Sequence, residues 1–186
     1  MIIEQAIFKI EKAVAKTQAM DLVEYINSQC VEKAKVLIDG VPTENTSQRN
    51  VYSYGLNPKF PSDKKYTDLL LEVMEKSLKE YTKIFSYIKQ LAPQDINLLK
   101  YEKDNFYNTH IDSFHTENRQ LSVIINLNED YEGGEVVFFH PTERKPYSNT
   151  NLKTGDLLIF PSNFLYPHKV TKITKGFRYS VVSWYA

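Results

Sequence analysis

With one cysteine, no net charge and no long apolar run, the sequence removes a class of protein on each count. A lone Cys30 among 186 residues cannot close an internal disulfide, which points to a reducing compartment. Twenty-three basic residues against 23 acidic ones give a formal net charge of zero. Such a chain has no long-range field to gather a polyanion, so a duplex-coating nucleic-acid binder is disfavoured. Lys or Glu interrupts every apolar window well short of the roughly 18 uninterrupted positions that a membrane span needs. The opening MIIEQAIFKIEKA carries Glu4 and Glu11 inside its apolar stretch and is followed by no cleavage pattern, so a soluble, cytoplasmic protein is expected. There is no internal repeat and no glycine-rich phosphate loop; Gly133-Gly134 precedes no helical pattern and fits a hairpin turn.

Aromatic residues, by contrast, are plentiful. Ten Phe, 13 Tyr and one Trp supply enough apolar surface to offset much of the entropy of folding, and the length suits one domain over residues 1–186. Apolar residues crowd one side of a predicted helix over Gln18–Lys33 (Met20, Leu22, Val23, Tyr25, Ile26), and VLIDG at 36–40 reads as a strand ending in a turn. Gly40 to Lys65, with Pro42, Pro58, Pro61 and many polar residues, suits a mobile loop containing a strand or hairpin. Three-to-four spacing from Leu69 to Phe85 predicts a core-packing helix over Asp68–Lys89. Beyond Pro93, about seven short β segments separated by Gly, Pro, Asn and Asp predict a sandwich or barrel. The expected architecture is therefore mainly β, with a helical and loop portion at 1–95 and a β core at 96–186.

All four histidines lie in the β half. His110 and Asp112 are two apart in a strand-like segment, so imidazole and carboxylate project from one face. His168 follows the strand GDLLIFP, and a jelly roll sets sequence-distant strands side by side across its mouth. Two imidazoles and a carboxylate on one side of a metal leave three octahedral positions open, which suits non-haem Fe(II); structural zinc prefers closed, sulfur-rich ligation that one Cys cannot provide. Arg178, in the otherwise apolar FRYSVVSWYA, is placed to pair with a carboxylate inside the barrel, and Ser180 shares its face.

These residues resemble the 2-oxoglutarate and Fe(II)-dependent dioxygenases, specifically the prolyl 4-hydroxylase-like group, from about Asn97 to Tyr185. KYEKDNFYNTHID is similar to that group's Tyr, Phe-Tyr and His-x-Asp segment, YEGGEVVFF to its Gly-Gly-Glu hairpin, and PHKVTKITKGFRYSVVSWY to its distal His, basic residue and terminal Trp-Tyr. In the N-terminal third, SQRNVYSYG resembles a substrate-side segment carrying an Arg. Two residues depart from the pattern: Asp104 stands where the group usually has Gly, and the basic residue is Arg178 rather than the Lys of collagen-type enzymes.

The resemblance implies a double-stranded β-helix core packed on N-terminal helices. It implies His110, Asp112 and His168 as iron ligands, 2-oxoglutarate as cosubstrate with its far carboxylate on Arg178, dioxygen as oxidant, and ascorbate as an accessory reductant. Tyr101, Ser180 and Trp184 then line the cosubstrate site, although Tyr101 and Trp184 read equally as core aromatics. Presence of the Asp112 carboxylate implies hydroxylation rather than halogenation. Arg49 and Tyr107 are the expected substrate-side contacts, the 40–65 segment folding over a peptide or protein that presents a proline. His115 and His140 are expected on the surface or in loops, and Glu135 as a turn carboxylate. Two other readings stand beside this one. An oxidative demethylase of alkylated nucleic acid would carry a second Arg where Trp184 stands, and a cupin-like metal-binding module would show His-x-His.

Overall fold

The strand Leu121–Asn126 (β9) is buried along its whole length, because each of its faces meets a different layer. Leu121, Val123 and Ile125 turn toward the helices, while Ile124 turns into the space between two sheets. The same period-2 alternation runs through Leu157–Pro161 (β13), with Leu157 and Ile159 on the helix side and Leu158 and Phe160 inside. The computed structural model describes residues 3–38, 41–88, 91–114 and 118–186.

The larger sheet has seven strands, in the spatial order β1 (Phe8–Ile10), β13, β9, β16 (Arg178–Tyr185), β7 (Asn97–Tyr101), β6 (Tyr52–Gly55) and β2 (Glu32–Lys33). Facing it is a five-stranded sheet in the order β12 (Pro146–Thr150), β11 (Val136–Phe139), β14 (His168–Val170), β8 (Phe106–His110) and β5 (Arg49–Asn50). All pairings are antiparallel. Two ribbons complete the fold, β3 (Lys35–Ile38) with β4 (Val41–Glu44), and β10 (Tyr131–Glu132) with β15 (Lys175–Gly176). This is the jelly roll expected from the sequence.

Helices α1 (Lys16–Ser28) and α2 (Pro61–Ile84) cover the outer face of the larger sheet. Ala19, Leu22 and Ile26 of α1 and Leu70, Val73, Met74 and Tyr81 of α2 pack on Leu98, Val123, Ile125, Ile159 and Val181. Helix α2 starts seven residues before Asp68, because Pro61 sits at the first helical position, where its missing N–H costs nothing. Asp63, fully buried in its first turn, accepts hydrogen bonds from the Tyr25 and Tyr54 hydroxyls and from the Asn57 N–H. Apolar periodicity is weak over 61–67, which is why the sequence places the start too late. Met20 and Ile84, expected on the packed faces, are exposed at 52% and 58%.

The portion before residue 96 departs most from expectation. The described part of 40–65, expected as a mobile loop containing a strand or hairpin, holds more than that: it forms β4, β5, β6 and the first turns of α2. Strands β1, β2, β5 and β6 extend the two sheets, so backbone pairing fixes a stretch that its polar composition made look loose. Gly40 and Lys89 lie outside the described residues. Asp104 adopts φ 67, the left-handed region that Asp tolerates better than most residues, and its N–H donates to Ile173 O at 2.9 Å. Asp104 is thus accommodated in this turn where the resembling group has Gly.

Candidate metal centre and cosubstrate site

Strand register builds the centre. His110 ends β8, His168 opens β14, and the two are direct cross-strand partners with ring centroids 4.3 Å apart. Asp112 lies two residues past the strand end, where the N–H groups of Asp112 and Ser113 both donate to Ser162 O, at 3.2 and 3.0 Å. That clamp turns the carboxylate back on the imidazoles. His110 Nε2 lies 3.4 Å from one Asp112 oxygen and His168 Nε2 3.7 Å from the other.

The imidazole tautomers follow from their partners. His110 Nδ1 lies 2.8 Å from Asn108 O and His168 Nδ1 3.1 Å from Tyr166 O. A carbonyl oxygen only accepts, so each Nδ1 is the N–H and each Nε2 keeps its lone pair for the centre. Burial and the neighbouring His110 push the His168 imidazole down to about 4, against the opposing pull of Asp112, so it is neutral at neutral pH. Burial pushes the Asp112 carboxyl up, but His168, His110 and the Ser122 hydroxyl together hold it far below the usual carboxylate range. One carboxylate and two imidazoles converge within 4.8 Å of one another. That donor set fits Fe(II), with one side left open.

Ser122, on β9, donates to Asp112 Oδ2 at 2.6 Å, and its oxygen lies 2.8 Å from Ser162 Oγ. Neither serine was singled out from the sequence; a hydroxyl inside the otherwise apolar LSVII was the available signal. Ser122→Ala is expected to lower metal affinity roughly 10-fold to 100-fold, as loss of an outer hydrogen bond to a ligand does. Titration with Mn(II), with Ser122→Thr as the rescue, measures it; unchanged affinity in the alanine variant would remove the role.

The alternation of β16 turns Arg178, Ser180, Val182 and Trp184 away from the helices, which Tyr179, Val181 and Tyr185 meet. Arg178 is 1% exposed. Its Nη1 donates to Ser180 Oγ at 3.0 Å, its guanidinium carbon lies 5.1 Å from the Tyr101 ring centroid, and its Nε has no hydrogen-bond partner. No carboxylate pairs with it among the described residues. A buried cation with unused donors is costly unless an anion joins it, so the residues fit a carboxylate ligand here. A Cβ on Gly134 (φ 71) would lie 2.8 Å from Arg178 Cδ and 2.5 Å from Ile173 Cδ1. The glycine pair thus does more than turn the hairpin: it leaves room for the arginine stem.

A cavity of about 190 Å³ lies beside the three candidate ligands; Tyr101, Tyr107, Arg49 and Trp184 all line it. Arg178 instead borders a second cavity, beside Gly133 and Gly134, with its guanidinium packed against Tyr101, which lines the first. Tyr107 stacks on His110 with centroids 3.5 Å apart, and Arg49 sits 4.7 Å from the Tyr107 centroid. Trp184 lies under Arg119, whose guanidinium carbon is 3.7 Å from the indole centroid. Arg119, Lys35 and Phe114 also line the cavity and were not anticipated, because charged residues beside a polar loop look like solvated surface. His140 accepts hydrogen bonds in its own turn, from Thr142 and the Glu143 N–H. Glu135 accepts one from Thr171, as a hairpin carboxylate. His115 lies outside the described residues.

Fold and site together define a jelly-roll protein in which two histidines and one carboxylate converge as a candidate site for a single metal ion. Residues 96–186, just under half of the chain, match the family model described as the 2OG-Fe(II) oxygenase superfamily. A PKHD-type hydroxylase of Idiomarina loihiensis is 32% identical over 100 residues, 52% of this chain and 43% of that protein. A PKHD-type hydroxylase of Synechococcus is 27% identical over 161 residues, 79% of this chain and 66% of that protein. The match to the Idiomarina protein spans less than half of that relative's length. Among solved structures, a prolyl hydroxylase from Trichoplax adhaerens in complex with a hypoxia inducible factor peptide fragment superposes with a TM-score of 0.80 at 18% identity, covering 100% of this chain and 87% of that one. A Pseudomonas putida prolyl-4-hydroxylase gives 0.70 at 16% identity, with 97% and 91% covered.

Proposed function

We propose that the protein is a 2-oxoglutarate- and Fe(II)-dependent dioxygenase that hydroxylates a prolyl residue in a peptide or protein. The observation that carries this reading is the convergence of His110, Asp112 and His168 in a fold that also buries the unpaired cation Arg178. When bound, iron and 2-oxoglutarate supply the activation of dioxygen, with release of succinate and CO2 and transfer of one oxygen atom to substrate.

The chain's own groups prepare that chemistry. The Nε2 atoms of His110 and His168 and the Asp112 carboxylate hold the metal on one side only. Arg178 binds the far carboxylate of the cosubstrate through paired N–H donors, and Ser180, hydrogen-bonded to Arg178, fixes the guanidinium's orientation. Tyr101 flanks the cosubstrate with its ring against the arginine; burial pushes its phenol up, so it stays protonated as a donor. Leu99, Ile124, Val170 and Val182 give the cavity apolar walls that exclude water from the oxidising centre. Tyr107 and Trp184 border the open side, and Arg49 is the substrate-side cation.

Several lines favour this over the alternatives. Trp184 occupies the position where a nucleic-acid demethylase would carry its second arginine, and no His-x-His of cupin type occurs. The peptide class is supported by the Trichoplax neighbour's peptide complex. No helix among the described residues is long and apolar enough to cross a membrane, and the lone cysteine supports the cytoplasm as the compartment.

The test is incubation of iron-loaded protein with proline-rich peptides, 2-oxoglutarate and ascorbate. A mass gain of one oxygen on proline, matched by succinate, is expected; succinate formed with some other substrate and no gain on any proline peptide would reject the prolyl assignment. Gly134→Ala is expected to raise the Kd for 2-oxoglutarate at least 10-fold while leaving metal affinity unchanged, because the methyl displaces the Arg178 stem. Calorimetry reads both, and Gly134→Ala with Ile173→Ala should recover part of the loss. Wild-type cosubstrate affinity in Gly134→Ala would show that the stem needs no such room.

A further inference from the structure

The distribution of charge around the cavity says something about what enters it. Its described lining holds three cations, Lys35, Arg49 and Arg119, against one carboxylate, Asp112. Asp112 is committed to the metal. With the centre loaded, the two charges of Fe(II), the single charge of Asp112, the two of 2-oxoglutarate and the one of Arg178 cancel. Lys35 and Arg49 are then in excess. Neither has an ion-pair partner among the described residues: Glu44 faces Lys35 across the β3–β4 ribbon in register without forming one. Arg49 is nonetheless held in place. Its Nη1 donates to Lys35 O at 3.0 Å, its guanidinium packs on Tyr107, and its buried Nε has no partner. A guanidinium ordered in this way, with a buried N–H still unused and no counter-anion among the described residues, is placed to take up an anion.

We propose that the substrate is an acidic peptide, with an Asp or Glu side chain received by Arg49 and Lys35; this rests on the peptide-hydroxylase reading above. The stacked series His110, Tyr107, Arg49, with steps of 3.5 and 4.7 Å, bounds the distance from the metal ligand to the anion site. At roughly 3.3–3.6 Å per extended residue, that keeps the acidic residue within about three residues of the one hydroxylated. The planar fork of Arg49 favours a carboxylate over a carboxamide of the same shape, and the excess positive charge speeds encounter with acidic segments.

The experiment uses labelled proline peptides that differ only two or three positions from the proline, in Glu, Gln or Lys, titrated by fluorescence anisotropy into protein loaded with Mn(II) and 2-oxoglutarate. The Glu peptide is expected to bind at least about 10-fold more tightly than the Gln peptide, with the advantage shrinking as salt rises. In a Lys35→Glu, Arg49→Glu double variant that still binds Mn(II) as the wild type does, the order is expected to invert in favour of the Lys peptide. Equal affinities for Glu and Gln peptides, no binding of any of them, or an unchanged order in the double variant would overturn the proposal. Mass spectrometry on the same peptides with Fe(II) keeps the two readings apart. Preferential binding of the Glu peptide with no oxygen gained on proline counts against prolyl hydroxylation alone, whereas hydroxylation indifferent to the charge counts against the acidic site alone.

Discussion

Replacing His168 by Ala is expected to lower metal affinity by more than about 100-fold, beyond the range that loss of an outer hydrogen bond produces, and to abolish turnover. The variant loses one of only three donors, and its neighbours cannot substitute: Phe138 and Phe160 pack on the imidazole at 5.6 and 4.9 Å. It also opens a hole at a residue that is 3% exposed, so the metal-free protein should lose roughly 2–4 kcal/mol of stability. His110→Ala should match it in metal affinity but cost less stability, because the His110 side chain is less deeply buried, 10% exposed against 4% for His168. Calorimetric titration with Mn(II) and thermal melts of the metal-free proteins separate the two effects. Stoichiometric metal binding at wild-type affinity in either variant would show that the centre lies elsewhere.

Arg178→Met should move binding and stability in opposite directions. Loss of a paired, charge-assisted contact to a carboxylate, at about 1.5–3 kcal/mol per hydrogen bond to a charged group, corresponds to roughly 100-fold or more in the Kd for 2-oxoglutarate. Without cosubstrate, however, Arg178 is a cation buried to 1% exposure with no counter-anion, and a side chain of similar shape without charge removes that cost. The cosubstrate-free variant is therefore expected to melt at or above the wild-type temperature, whereas wild type alone gains stability on adding 2-oxoglutarate. Metal affinity should not change. A variant that binds 2-oxoglutarate as well as wild type would remove Arg178 from the cosubstrate site; one that melts far lower would show that its charge is already satisfied within the fold.

Legibility from sequence differed sharply between the two halves of the molecule. The β core was readable because half-buried strands alternate and because the spacing His110–Asp112 has a geometric meaning in a strand. Arg178 was readable because a charge amid FRYSVVSWYA has no solvated face to occupy. The stretch from Val41 to Lys65 was not. Its polar residues and prolines describe a loop, yet β5 and β6 lie in the two sheets because backbone hydrogen bonds to β8 and β7 hold them. The early start of α2 was hidden for a related reason, since a buried carboxylate, Asp63, anchors that turn instead of an apolar residue.

Local pattern in the chain points to which residues can bind metal and which strand faces they occupy, for these depend on spacing alone. Distance between residues remote in sequence is another matter. That His168 meets His110, that Ser122 reaches Asp112 from another strand, that Gly134 gives way to Arg178, and that Lys35 and Arg49 gather at one mouth all depend on register between strands. Register is set by the whole antiparallel framework closing at once, and no local stretch encodes it.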